Sequence, residues 1–257
     1  MSNQVQSFSA LHQSGKPLLI GNVWDVESAK RYQKLSFKAL GTTSSGIART
    51  LGYEDGENMS FEQLCFLVER IIKNIDIPLS VDMESGYGNT ANEVADNMIK
   101  LYQLGVAGVN LEDSVVINGE RTIIDKTIFT EKLNQITTIL AENNANLFIN
   151  IRCDAYLLQL NNPLDEAKTR IEAYALANIN GIFLPCLTSL DDIRMLTTFT
   201  ELPINLMCMP DLADFSTLKA AGVRRISMGD FMNQHIYEYL ENTTQTILNS
   251  ENFSILF

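Results

Sequence analysis

Short apolar segments rich in β-branched residues alternate along this chain with longer segments whose apolar residues recur at helical spacing. That rhythm limits the fold more than any other feature. Residues 17–23, 37–43, 78–83, 107–111, 147–151, 181–184, 203–207 and 224–228 read as strands. Helices are expected between them. Asp25 is a good N-cap for one running to about Lys34, and Phe61, Leu64, Leu67, Val68 and Ile71 form the stripe of a second. Further helices are expected over 91–104, up to about 143, from Pro163 to 177, over 190–198 and 212–221, and from 229 to 248. Strict alternation implies parallel strands joined by right-handed crossovers. Eight such units in 257 residues predict a (β/α)8 TIM barrel, α/β in class, with residues 1–257 as a single domain. The alternative, a doubly wound open sheet, lacks its usual fingerprints: neither G-x-G-x-x-G nor a P-loop is present.

Composition narrows the partners. A formal charge of −12 repels nucleic acid and anionic membrane surfaces, so neither is expected to bind. There is no apolar run of membrane-spanning length and no secretion signal at the start, and the four cysteines stand far apart. A cytoplasmic protein with reduced thiols is expected. The two histidines, His12 and His235, are too few for a histidine-rich metal site or a serine–histidine triad, and both are expected at the surface or at helix ends. A small anionic metabolite is the expected partner where a metal and a positioned arginine reverse the local sign.

In a barrel the strand ends share one face, where such folds carry their sites. Those ends present Ser44-Ser45-Gly46, Asp82 with Glu84, Glu112-Asp113, Arg152 with Asp154, and Asn205, while the strand bodies read as apolar. Asp82 and Glu84 stand two apart, so on a strand they aim at one place. With Glu112, and Asp55 from the preceding loop, they suit a Mg2+ or Mn2+ ion held mostly through water. Arg152 can grip a carboxylate bidentately. Ser44, Ser45 and Gly46 offer hydroxyls and main-chain N–H groups to an anionic oxygen, and Asp82 and Asn205 complete the substrate set. Tyr87, better placed than Tyr53, is expected to project towards substrate. Trp24 is read equally as pocket wall or core. Cys153, Cys186 and Cys208 near strand ends are read as packing rather than as a zinc site. Glu120, Arg121 and Lys126 in the loop 114–126 are candidate acid–base residues of a lid, with a solvated hairpin as the other reading.

These segments also carry a resemblance. Asp82-Met-Glu-Ser-Gly-Tyr-Gly-Asn89 resembles the Asp-x-Asp-x-Gly-Tyr-Gly segment of the isocitrate lyase/phosphoenolpyruvate mutase superfamily. Val109-Asn-Leu-Glu-Asp113 is similar to its Glu-Asp segment, and Asn150-Ile-Arg-Cys-Asp-Ala155 to its Ala-Arg-Thr-Asp-Ala segment. Thr42-Thr-Ser-Ser-Gly46, Leu51-Gly-Tyr-Glu-Asp55, Leu202-Pro-Ile-Asn205 and Ala221-Gly-Val-Arg-Arg-Ile-Ser227 match in order. The resemblance implies a magnesium-dependent barrel enzyme in homo-oligomers, dimers or tetramers, whose last helix is often exchanged between subunits. It places Asp82, Glu84 and Glu112 on the metal carboxylates, Asp55 on a nearby acid, and Arg152 on the substrate-carboxylate arginine. Tyr87, Glu112 and Arg152 are then the catalytic candidates. The chain departs from the family in two places. Glu84 is one methylene longer than the family's Asp, and no cysteine lies between 65 and 153, where the carbon–carbon lyases carry Lys-Lys-Cys-Gly-His or Lys-Arg-Cys-Gly-His. Nor does the loop carry the lysine and Asn-Ser of the mutases, which leaves the broad phosphonomutase-like branch. The expected activity is C–C cleavage of a small 2-oxo-carboxylate through a metal-stabilised enolate, by a lyase or decarboxylase. The alternatives are a C–P bond enzyme and a degenerate protein that binds a 2-oxo acid without turning it over.

Overall fold

The computed structural model describes residues 2–257. Helix α1 (Ser2–Leu11) precedes β1 (Leu18–Val23), α2 (Val26–Lys34), β2 (Leu40–Thr42), α3 (Ser44–Leu51), α4 (Phe61–Ile72) and β3 (Leu79–Asp82). Then come α5 (Ala91–Leu104), β4 (Gly108–Glu112), a hairpin of β5 (Ser114–Ile117) and β6 (Glu120–Ile123), α6 (Lys126–Glu142), β7 (Phe148–Arg152) and α7 (Pro163–Tyr174). The chain ends with β8 (Gly181–Leu184), α8 (Leu190–Phe199), β9 (Ile204–Met207), α9 (Phe215–Ala220), β10 (Arg225–Ser227) and α10 (Phe231–Ser250). Strands β1, β2, β3, β4, β7, β8, β9 and β10 pair in that order, all parallel, and β10 closes on β1. This is a (β/α)8 barrel.

Local chemistry sets the helix starts. Asp25 with Ser28, Ser60 with Gln63 and Thr90 with Glu93 form reciprocal capping boxes on α2, α4 and α5. Each such cap contributes about 1 kcal/mol. Helices α3 and α5 end at Gly52 and Gly105 in the left-handed region, the usual glycine stop. Among the described residues no helix is long and apolar enough to cross a membrane.

Three elements escape the apolar periodicity. The first is α1, which plugs the amino-terminal mouth of the barrel. Phe8 is fully buried, its ring 5.3 Å from Phe148, and His12 stacks on Phe148 at 4.2 Å. A Cβ on Gly108 would lie 2.9 Å from the Phe8 ring and 2.7 Å from the Phe148 carbonyl, so this position requires glycine. His12 is therefore buried rather than at the surface, with Nδ1 on the Phe8 carbonyl. Burial and the nearby Arg225 hold it neutral, with its pKa lowered to about 3. His235, by contrast, is exposed beside Glu238. The second element is α3, whose first turn is the Ser44-Ser45-Gly46 segment at the end of β2. The third is the β5–β6 hairpin within the expected loop 114–126.

The strand bodies are less apolar than the sequence reading held. Asn150 Nδ2 donates to Asn110 Oδ1 (2.9 Å) and Asn205 Oδ1 (3.2 Å), and Arg225 reaches across the barrel from β10 to Asn110 on β4 (3.4 Å). Buried amides are tolerated only when their hydrogen bonds are made, and here they largely satisfy one another. This polar layer is the floor on which the site rests.

Candidate active site

The carboxyl ends of the strands close around a cavity of about 210 Å3. Two larger grooves, each about 460 Å3, lie elsewhere and have no comparable convergence of polar groups: one beside Leu18 and Phe37, the other under α10. On one wall of the central cavity Thr43 caps α3, and Ser44 and Ser45 open its first turn. That helix end presents partial positive charge. Ser44 donates its hydroxyl to Asp82 Oδ2 (3.1 Å), and Ser45 donates to Asp230 Oδ2 (3.1 Å). Arg49 on the same helix bridges to Asp230 at 2.9 Å. Gly46 lies behind this wall against Trp24 and Thr43, and Trp24 is buried outside the cavity.

Asp82 closes β3, and its backbone N–H is fixed by Thr42 Oγ1 at 2.8 Å. Its Oδ1 is buried and has no hydrogen-bond partner among the described residues. Burial raises its pKa; Arg152 opposes that rise and Asp55 reinforces it. The strand alternation expected to align Glu84 with Asp82 stops here, because Glu84 itself turns with φ of 50°. Its carboxylate accepts the Glu57 N–H (2.8 Å) and the Tyr87 hydroxyl (3.0 Å). Burial, then Asp55, Asp82 and Glu112, push it up to about 8. Gly86, at φ of 112°, completes the turn with its N–H on the Met83 carbonyl (2.8 Å).

Arg152 closes β7 and lines the cavity. Its Nε holds Asp154 Oδ1 at 2.6 Å and its Nη1 holds Glu112 Oε1. Burial disfavours its charge, but Glu112, Asp154 and Asp82 outweigh that and keep the guanidinium protonated. Asp154 is fixed in turn: its N–H donates to Asp113 Oδ1 (2.9 Å), and Asp113 Oδ2 accepts from Tyr174 (2.9 Å) and Arg170 (3.2 Å). The other oxygen of Glu112 is taken by Arg121 from the hairpin.

Of the residues expected at the site, Ser44, Ser45, Asp55, Asp82 and Arg152 line the cavity together. Glu84 and Glu112 border a smaller adjoining space of about 30 Å3. Tyr87 stands behind Glu84. Asn205 lies one layer down, its amide engaged by the Leu206 carbonyl (2.8 Å) and Asn150. The sequence reading omitted Asn110, Ser227 and Asp230 from the lining, along with the apolar wall of Leu157, Phe183 and Met207. A signal existed for Asp230, an acid just beyond the last strand in Met228-Gly-Asp. Asn110 and Ser227 stand within segments that carry the family resemblance, and nothing marked Leu157, Phe183 or Met207.

The family model described as phosphoenolpyruvate phosphomutase matches residues 8–248. The chain belongs to the phosphoenolpyruvate mutase/isocitrate lyase superfamily. An uncharacterised protein of Mycobacterium tuberculosis is 31% identical over 223 residues, 87% of this chain and 81% of its own. An oxaloacetate decarboxylase of Rhodopseudomonas palustris is 29% identical over 79% of this chain and 70% of its own. A crystal structure from Burkholderia cenocepacia, which carries the unproven designation phosphonomutase, superposes with a TM-score of 0.88. It is 32% identical and covers 95% of this chain and 99% of its own. Superfamily enzymes of this kind act as lyases on 2-oxo acids or as phosphonomutases.

The mouth of this superfamily barrel has no group of three acids, histidines or cysteines converging as a direct metal shell among the described residues. Glu84 and Glu112 have both oxygens engaged by protein. Asp82, with one free buried oxygen, and Asp55 on the same cavity wall remain. That donor set fits a hydrated magnesium or manganese ion, which keeps several waters and takes only one or two carboxylates. It does not fit zinc: Cys153 is buried away from the cavity and burial raises its thiol well above the usual range.

Proposed function

We propose that this protein is a magnesium-dependent enzyme that cleaves a C–C bond of a small 2-oxo-carboxylate, as a lyase or decarboxylase. The observation that carries this reading is the pairing of a charged Arg152 with the half-bonded Asp82 across one small cavity. Arg152 would hold the substrate carboxylate through its fork. Asp82, with Asp55 through water, would hold the cation, which supplies Lewis-acid polarisation of the substrate's carboxylate and carbonyl oxygens. The start of α3, with the Ser44 and Ser45 hydroxyls, would face the negative charge that develops on the carbonyl oxygen as the bond breaks. Leu157, Phe183 and Met207 would keep water from the reacting carbon. The oxaloacetate decarboxylase relative supports this choice. Cleavage of a C–P bond is the second reading, favoured by the family description and by the Burkholderia cenocepacia structure. Under magnesium, pyruvate release from oxaloacetate above the enzyme-free rate that stops on chelation supports the first reading; turnover of phosphonopyruvate alone, to pyruvate and phosphate or to phosphoenolpyruvate, supports the second.

A homo-oligomer, dimer or tetramer, completes the proposal. Helix α10 exposes Phe231, Met232, Ile236, Tyr239 and Leu240, beside the apolar groove of Trp24, Tyr32 and Leu35. A lone molecule rarely leaves so much apolar surface in water, and the same helix of a second copy would cover it. Sedimentation of the full chain is expected to give a dimer or larger, and Ile236→Glu with Leu240→Glu is expected to give monomers. A wild-type monomer at micromolar concentration contradicts the proposal.

A further inference from the structure

The hairpin in the loop after Glu112 is built to carry one side chain back to the barrel mouth. Strands β5 and β6 pair Ser114 with Ile123, Val115 with Thr122, Val116 with Arg121 and Ile117 with Glu120. Asn118 and Gly119 turn it with φ of 53° and 82°, the tight turn whose twist suits paired strands. Val116 packs against Gly56, where even an added Cβ would come within 3.1 Å, so the hairpin lies on the loop that carries Asp55.

Arg121 then enters a ring of four charges. Its Nη1 bonds Glu112 Oε2, Asp154 Oδ2 (3.3 Å) and the Ser114 hydroxyl (2.9 Å). Arg152 bonds Glu112 Oε1 and Asp154 Oδ1, and its Nη2 also reaches Asp154 Oδ2 at 3.3 Å, to which the Ser114 hydroxyl donates at 2.5 Å. Both acids are essentially buried, and the two arginines are only 18% and 14% exposed. Two acids thus meet two arginines, and every carboxylate oxygen has a donor. Without Arg121 the pair would share one cation, which is costly in a buried setting.

Donor counting shows what this does for Arg152. A guanidinium carries five N–H groups. Arg152 directs Nε, one hydrogen of Nη1 and one of Nη2 to Glu112 and Asp154. One hydrogen on each terminal nitrogen remains uncommitted within the protein and open to a substrate carboxylate. Remove Arg121, and Glu112 Oε2 becomes a bare buried oxygen next to those N–H groups.

We propose that Arg121 is a positioning residue. By occupying Glu112 Oε2, it keeps the free N–H groups of Arg152 available for the carboxylate of a small 2-oxo-acid substrate. Arg121 lies outside every segment that carries the superfamily resemblance, and it stands in the loop where the lyases carry their cysteine. The proposal rests on the reading of Arg152 as the substrate's anchor.

The test is calorimetric binding of oxalate, in the presence of Mg2+, to the full chain as wild type, Arg121→Gln and Arg121→Lys, with a crystal structure of Arg121→Gln. Loss of a charge-assisted arrangement predicts roughly ten- to a hundredfold weaker oxalate binding to the Gln variant. The Lys variant, which restores the charge and one hydrogen bond, is expected to recover part of it. In the Gln crystal structure Arg152 is expected to have turned onto Glu112 Oε2. Equal oxalate affinity in wild type and Arg121→Gln overturns the proposal. If the wild type itself binds no oxalate, the functional reading falls, and the crystal structure decides the positioning role alone. An unmoved Arg152 then overturns it, and a turned one supports it.

Discussion

Asp82→Ala is expected to abolish turnover, lowering kcat by about a thousandfold or more, as loss of a group that organises charge in the transition state does. The same change is expected to leave the protein at least as stable as before. Asp82 is buried with Oδ1 unpartnered, and its raised pKa means that its ionised form is disfavoured in the fold. The sign follows from linkage: an acid whose folded pKa is raised binds its proton more tightly when folded, so ionising it at neutral pH works against folding. Alanine removes that cost. A protein selected only for stability would not keep such a group, and the combination of lost turnover with unchanged or higher Tm marks a site residue. Steady-state kinetics and thermal unfolding on the same preparation test both halves. Asp82→Asn, which keeps the shape and the Ser44 hydrogen bond, is expected to behave the same way in turnover. Wild-type-like activity in either variant would remove Asp82 from the mechanism.

The second large effect is expected at Arg152. Arg152→Met takes one of two cations from the Glu112–Asp154 pair and leaves Arg121 to serve both acids. Breaking a buried ion pair by removing one partner costs about 3 kcal/mol or more, so urea unfolding is expected to shift by that amount. Oxalate binding is expected to be lost as well. Arg152→Lys separates the two functions: it keeps a charge near the acids and most of the stability, but it lacks the planar fork. Its oxalate affinity is expected to fall about a hundredfold while the unfolding midpoint stays near wild type. Strong oxalate binding by the Lys variant would show that the site needs charge alone and not the fork.

The chain shows where sequence reasoning reaches and where it stops. The barrel was legible because the strands are short, most of their positions are apolar, and several helices begin with their own cap, as at Asp25, Ser60 and Thr90. Ser44, Ser45, Asp82 and Arg152 were found because a barrel delivers strand ends to one face, and Asp55 because the loop before α4 resembles the family's. Glu84 was assigned to the same face by strand alternation, but the strand ends at Asp82 and the backbone of Glu84 turns left-handed. Asn205 was set at the rim although it sits second in β9, one layer too deep. Helix α1 could not be read from periodicity, since Phe8 buries against the barrel mouth and most of the other residues of that helix are polar. The hairpin did leave a trace, the Asn118-Gly119 pair between β-rich runs. What no sequence pattern carried was the ring that joins Glu112, Arg121, Asp154 and Arg152, because it depends on register between elements distant in the chain.

The most direct measurement follows pyruvate release from oxaloacetate, phosphonopyruvate and methylisocitrate, and glyoxylate release from isocitrate, at fixed Mg2+, with chelated and enzyme-free controls for each. Pyruvate from oxaloacetate alone, abolished by chelation and absent in Asp82→Ala, is the expected result. Release that persists without the metal, or no release from any of the four while oxalate still binds, would contradict a magnesium-dependent C–C cleavage of a 2-oxo-carboxylate at this site.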